Sequence, residues 1–149
     1  MAGVGFYMTT PEVALVGTTL KTAIEITAGA NHRALIESLG FFFDGVLGTD
    51  APVVCSLVRI GTTGTGTAGT PVKRDPDMSE TLQVDFKYNF TVEPTGKTIL
   101  KSWNIHPQSG YEYIFPLTSL YPIPGGDLLG VQFTAPVAVN VIVSVEGTE

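Results

Sequence analysis

Charge is scarce in this chain. Its 149 residues include 8 Lys and Arg and 14 Asp and Glu, 15% charged in all, against about a quarter in an average soluble domain. The net charge is −6, and Lys73 and Arg74 form the only adjacent basic pair. A nucleic-acid surface must neutralise several phosphates together, so DNA and RNA are excluded as partners. There is one cysteine, Cys55, which rules out an internal disulfide; set between Val54 and Ser56 in an apolar run, it reads as a buried, inert thiol. The two histidines, His32 and His106, stand far apart, so the paired histidines of a cupin-type metal site are missing. No apolar run approaches the roughly 18 to 20 residues of a membrane-spanning helix, although mean hydropathy is +0.27. The N-terminus lacks the basic n-region of a secretory signal, and the expectation is a protein made inside the cell and not exported through a signal, with no membrane partner.

What the chain does have is β-patterning. In segment 138–147 (AVNVIVSVEG), Val139, Val141, Val143 and Val145 alternate with Asn140, Ile142, Ser144 and Glu146, the period of a half-buried strand with a valine face. In segment 82–92, Leu82, Val84, Phe86, Tyr88, Phe90 and Val92 share one face, predicting a strand near the centre of a sheet. Weaker alternation marks strands from Thr18, Val53, Thr98, Gly110 and Asp127. The stretch from Asn31 admits a short helix capped by Asn31 or a strand through Phe41, Phe42 and Phe43 before an Asp44-Gly45 turn; the all-β context favours the strand. Eight short strands with turn signals between them predict one antiparallel β-sandwich, barrel or jelly roll over residues 18–149, preceded by an N-terminal arm or extra strand over residues 1–17.

Residues 61–80 (GTTGTGTAGTPVKRDPDMSE) break this rhythm. So long and Gly/Thr-rich a stretch predicts a loop that is either mobile or held by a partner. Residues 64–69 match G-x-G-x-x-G in letters, but Thr70 and Pro71 follow where a nucleotide-binding loop needs a helix. Asp75, Asp77 and Glu80 lack the spacing of a calcium loop, and Asn89-Phe90-Thr91 is a glycosylation triplet in mid-strand. No G-x-S-x-G elbow exists, and Glu25 and Glu37, the nearest approach to a glycosidase pair, read as solvent-facing strand positions. Trp103, Tyr111, Tyr113 and Tyr121 raise a sugar-stacking alternative, although the spacing of Trp103 between Ile99 and Ile105 suits core packing better.

Several patches, in order along the chain, resemble a family of small virion proteins of tailed bacteriophages, the head decoration, cement or minor structural proteins. They are Lys21-Thr22-Ala23, Gly40 with Phe43-Asp44-Gly45, Ala51-Pro52-Val53, Pro71-Val72-Lys73 with Asp75-Pro76, Glu93-Pro94-Thr95, the run from Trp103 to Gln108, Phe115-Pro116-Leu117, and Asn140-Val141. The resemblance implies a jelly-roll-like sandwich, often a homotrimer, synthesised in the host cytoplasm and bound to the major capsid protein on the outside of the assembled virion. It implies no catalysis and no cofactor. The segment before Lys21 falls outside it. Its apolar residues Val4, Phe6, Tyr7, Met8, Val13, Leu15 and Val16 are costly in water, so the arm is expected to form an extra strand or to dock on a subunit or shell, with Lys73 and Arg74 as further contacts. The alternatives are a receptor- or glycan-binding module of a phage tail, fibre or head and, after that, an enzyme, which would bring His32 and His106 together.

Overall fold

The computed structural model describes residues 3–44 and 51–149; Gly45 of the expected Asp44-Gly45 turn lies outside them. Thirteen strands follow in order: β1 Gly5–Thr9, β2 Val13–Leu15, β3 Lys21–Thr27, β4 Ala34–Phe43, β5 Val53–Ile60, β6 Thr65–Ala68, β7 Val72–Lys73, β8 Asp85–Val92, β9 Thr98–Ile105, β10 Tyr111–Ile114, β11 Tyr121–Ile123, β12 Leu128–Thr134 and β13 Val139–Thr148. Sheet A runs β10-β4-β13-β1-β7, with β11 also on β4 and β2 also on β13; sheet B runs β6-β8-β3-β12-β5-β9.

With β6, β7 and β8 set aside, sheet A is β10/β11-β4-β13-β1/β2 and sheet B is β3-β12-β5-β9. The chain alternates between them, stays in sheet B from β5 to β9, then alternates again. That is a jelly roll of two Greek keys, one of the architectures the strand pattern admits and the one the resemblance implies. Of the arm and the extra strand expected for the N-terminal segment, the structure has the strand: β1 pairs with β13 along its whole length, Gly5 opposite Thr148 to Thr9 opposite Ser144, and β2 continues beside Val139 to Val141. It is the first strand of the roll, and no domain boundary falls at residue 17.

The core lies between the inward rows of the two sheets. Phe6, Met8, Leu39, Phe41 and the four valines of β13 meet Ile24, Ile26, Leu57, Val131 and Phe133, with Phe41 edge-on to Phe133 at 5.7 Å. The valine face of β13 is buried as its period requires. The Asn31 stretch is strand, with Ile36, Leu39 and Phe41 inward.

Residues 61–80, expected as one long loop, carry the two short strands β6 and β7. Thr62 and Thr95 bridge at the neck of an insertion, β6 adds to β8 at the edge of sheet B, and β7 crosses to sheet A beside β1. The glycines are why. A Cβ on Gly69 would lie 2.1 Å from the Phe86 ring, and one on Gly66 would lie 3.0 Å from that of Phe90, so a backbone without side chains lies against the β8 aromatics. The expected face of β8 holds for Phe86 and Phe90 but not for Val92, which is exposed. Asn89 takes a φ of 51° where the register with β6 shifts, a bulge that turns the strand. β8 is one strand from the edge of its sheet, not central.

Candidate functional site

Of the eight residues expected to contact a partner, Val4, Phe6, Met8, Val13 and Leu15 are buried in this fold. Their side chains are spent on the core of β1 and β2 and cannot serve a docking surface. Tyr7, Lys73 and Arg74 stay accessible at the β1/β7 edge of sheet A. The Arg74 guanidinium lies over the Tyr7 ring, 5.4 Å from its centroid, and 2.7 Å from a Glu37 carboxylate oxygen; the bond to Glu37 leads the causes that shift its pKa upward. Lys73 donates to the carbonyl of Met78 at 2.8 Å. Both cations are engaged within the chain.

Glu25 and Glu37 do not form a pair: they belong to different sheets. Glu25 is fully buried, contrary to its expected solvent-facing position, and accepts hydrogen bonds from Thr63 Oγ1 and the Gly64 amide. Glu93 accepts from the Thr22 amide and Glu149 from the amides of Gln83 and Val84. These three carboxylates tie the insertion to the roll. His32 and His106 are not brought together. Thr27, five residues before His32, is level across sheet B with Leu128 and Ile60, whereas Ile105, just before His106, is level with Val53, so the histidines leave the sheet at opposite ends. Asp75 closes a turn by accepting from the Asp77 amide. Among the described residues, no group of three His, Cys, Asp or Glu side chains is arranged to hold a metal ion.

Two surfaces remain. The first is the outer face of sheet A. Period two turns the middle phenylalanine of Phe41-Phe42-Phe43 outward, opposite Ile142. The Phe42 ring lies over Gly40 and Gly110, where a Cβ would come within 2.7 Å and 2.5 Å of it. Ile114, 69% exposed, faces outward opposite Ser38, and Tyr7 and Val72 carry apolar surface to the far edge. A shallow cavity of about 240 Å³ beside Tyr7 and Val72 opens on this face. None of Phe42, Ile142 and Ile114 was singled out by the sequence reading; the odd parity of Phe42 within its run and of Ile142 among the valines was the available signal.

The second surface is at the open side of the sandwich, where the β9 and β10 edges meet. Trp103 of β9 packs on Phe41 at 5.7 Å and on Tyr113 at 5.5 Å, with Tyr111 at 6.3 Å and inclined by 46°. Tyr113 continues edge-on to Phe115 at 4.8 Å. Lys101 Nζ caps the Tyr113 ring at 4.1 Å. Trp103 thus belongs to the core margin, as its spacing suggested, and also to the surface: with Asn104, His106, Ser109, Gly110 and Tyr111 it lines a cleft of about 300 Å³.

No protein-family model matches the chain, and no curated protein matches it. Among solved structures, the crystal structure of Yersinia pseudotuberculosis-derived mitogen is 12% identical with a TM-score of 0.41, over 95% of this chain and 84% of that one. The likeness is too distant to bear on function.

Proposed function

We propose that this chain is a non-enzymatic virion protein that binds the outside of an assembled phage capsid through the outer face of sheet A and stabilises the shell. The observation that carries the reading is the set of exposed apolar side chains on that face, Phe42, Ile114, Tyr7 and Val72, which share it with the exposed Glu112 and Glu146. The ordered patches that resemble phage decoration proteins supply the partner, the major capsid protein. A ligand that binds only the assembled shell favours assembly by mass action, and a homotrimer would match three-fold positions on the lattice.

The test is cosedimentation of purified protein with preassembled shells. Wild type should pellet with them at saturating stoichiometry, whereas Ile114→Asp, at a site too exposed to disturb the core, should lower occupancy at least about tenfold, roughly 1.4 kcal/mol, with an unchanged melting midpoint. Failure of wild type to pellet, or full binding by Ile114→Asp, contradicts the proposal. A second reading, a receptor- or glycan-binding module of a phage tail, fibre or head, is favoured by one observation, the cleft between Trp103 and Tyr111.

A further inference from the structure

We infer that the cleft at the junction of β9 and β10 binds a neutral pyranose residue of a saccharide; this rests on the glycan-binding reading and is independent of capsid attachment. Its size of about 300 Å³ is at the lower end of small-molecule sites, roughly 300 Å³, and suits one sugar ring rather than a long ligand.

The walls are aromatic and fixed in advance. Trp103 is braced from behind by Phe41 and Tyr113, so little side-chain freedom is lost when a ligand arrives. Tyr111 is 39% exposed and forms the facing wall. The 46° between the two rings presents apolar surface in two directions, of which a flat ring system could use only one. A puckered pyranose presents C–H groups along two directions and can meet both walls.

The polar groups are few and placed at the rim. Asn104 lies opposite the exposed Val54 and turns its side chain to the outer face of sheet B, away from Trp103, so it adds no side-chain polar group to the cleft. The turn that carries Ser109 is held by the Gln108 amide donating to His106 Nδ1 at 3.1 Å and the Ser109 amide donating to the His106 carbonyl at 3.1 Å; the Ser109 hydroxyl donates to the same carbonyl at 3.4 Å, which leaves it an acceptor for a ligand at the mouth. No carboxylate, lysine or arginine lines the cleft, which argues against a phosphate or a cation. Lys101 is directed to Tyr113, with its Nζ 3.0 Å from the phenol oxygen.

Trp103 is the only tryptophan in the chain, so its emission reports on this cleft. The full-length protein would be titrated with glucose, galactose, mannose, N-acetylglucosamine and N-acetylgalactosamine, and with their short linear oligomers, at millimolar concentrations. At least one series should give a saturable change in Trp103 emission, Tyr111→Ala should weaken it at least about tenfold, and Ile114→Asp should leave it unchanged. If isothermal titration calorimetry shows saccharide binding that Tyr111→Ala does not weaken, the sugar binds elsewhere: the cleft assignment fails and the glycan reading stands. If no saccharide gives a response in either measurement, both fail.

Discussion

Glu25 is a charged side chain with no exposed surface in the middle of β3, and such a position is stable only when its oxygens are supplied with donors. Thr63 and Gly64 supply them, which makes this carboxylate a fastener for the start of the insertion. Glu25→Ala should destabilise the fold by about 1–3 kcal/mol and speed amide exchange at Gly64. A urea midpoint and a Gly64 exchange rate equal to wild type would refute this role. Cys55 is buried between the sheets, and burial pushes its thiol well above the ordinary range. In the unfolded chain the thiol titrates near about 8.5. Below that pH both states hold the proton and the stabilising contribution is fully present. Above it the unfolded chain releases the proton and the folded one keeps it, so stability falls with rising pH by up to about 1.4 kcal/mol per unit. Urea midpoints measured from pH 7 to pH 10 should show this alkaline decline reduced in Cys55→Ala, and parallel curves for the two proteins would exclude it.

At the scale of elements, β1 carries the largest consequence. Phe6 and Met8 project into the core while β1 bonds to β13 on one side and β7 on the other. Phe6→Ala should cost about 3–5 kcal/mol, and removal of residues 2–16 should unfold the domain; a truncated chain with a native circular dichroism spectrum and a cooperative melt would contradict this. Strands with strict alternation were legible in the sequence: β13 through its valines, and β8 as far as Phe90. The first strand was legible only as one of two alternatives, because five residues of GFYMT give too short a period and the pairing that buries them comes from the opposite end of the chain. Seven of the eight strands anticipated belong to the jelly roll, and the other, β8, belongs to the insertion, with β1 taking the vacant place. Residues 61–80 were illegible for a different reason. Their order comes from aromatic rings of β8 lying against bare glycine backbone, an interaction with no hydrophobic signature on the Gly/Thr side. At the candidate sites, the aromatic cluster was visible as residue types and the outward turn of Phe42 only through its parity within the run, whereas the cleft was not visible at all.

For the whole molecule, the proposed capsid face presents apolar side chains with Glu112 and Glu146 among them, while Lys73 and Arg74 are held by internal partners. Attachment driven by apolar burial is weakly screened, whereas attachment through exposed ion pairs weakens as the Debye length shrinks from about 10 Å at 0.1 M to 3 Å at 1 M. Cosedimentation with shells should therefore change little across that range of salt, and release at 1 M would assign the binding to charge. A homotrimer in solution, read by light scattering, would fit three-fold capsid positions. The most direct measurement is antibody-gold labelling of intact particles from a culture that makes this protein, counted by electron microscopy. Gold spread over whole phage heads at high copy is the predicted result; gold confined to a tail tip, or absent from particles, would contradict capsid decoration.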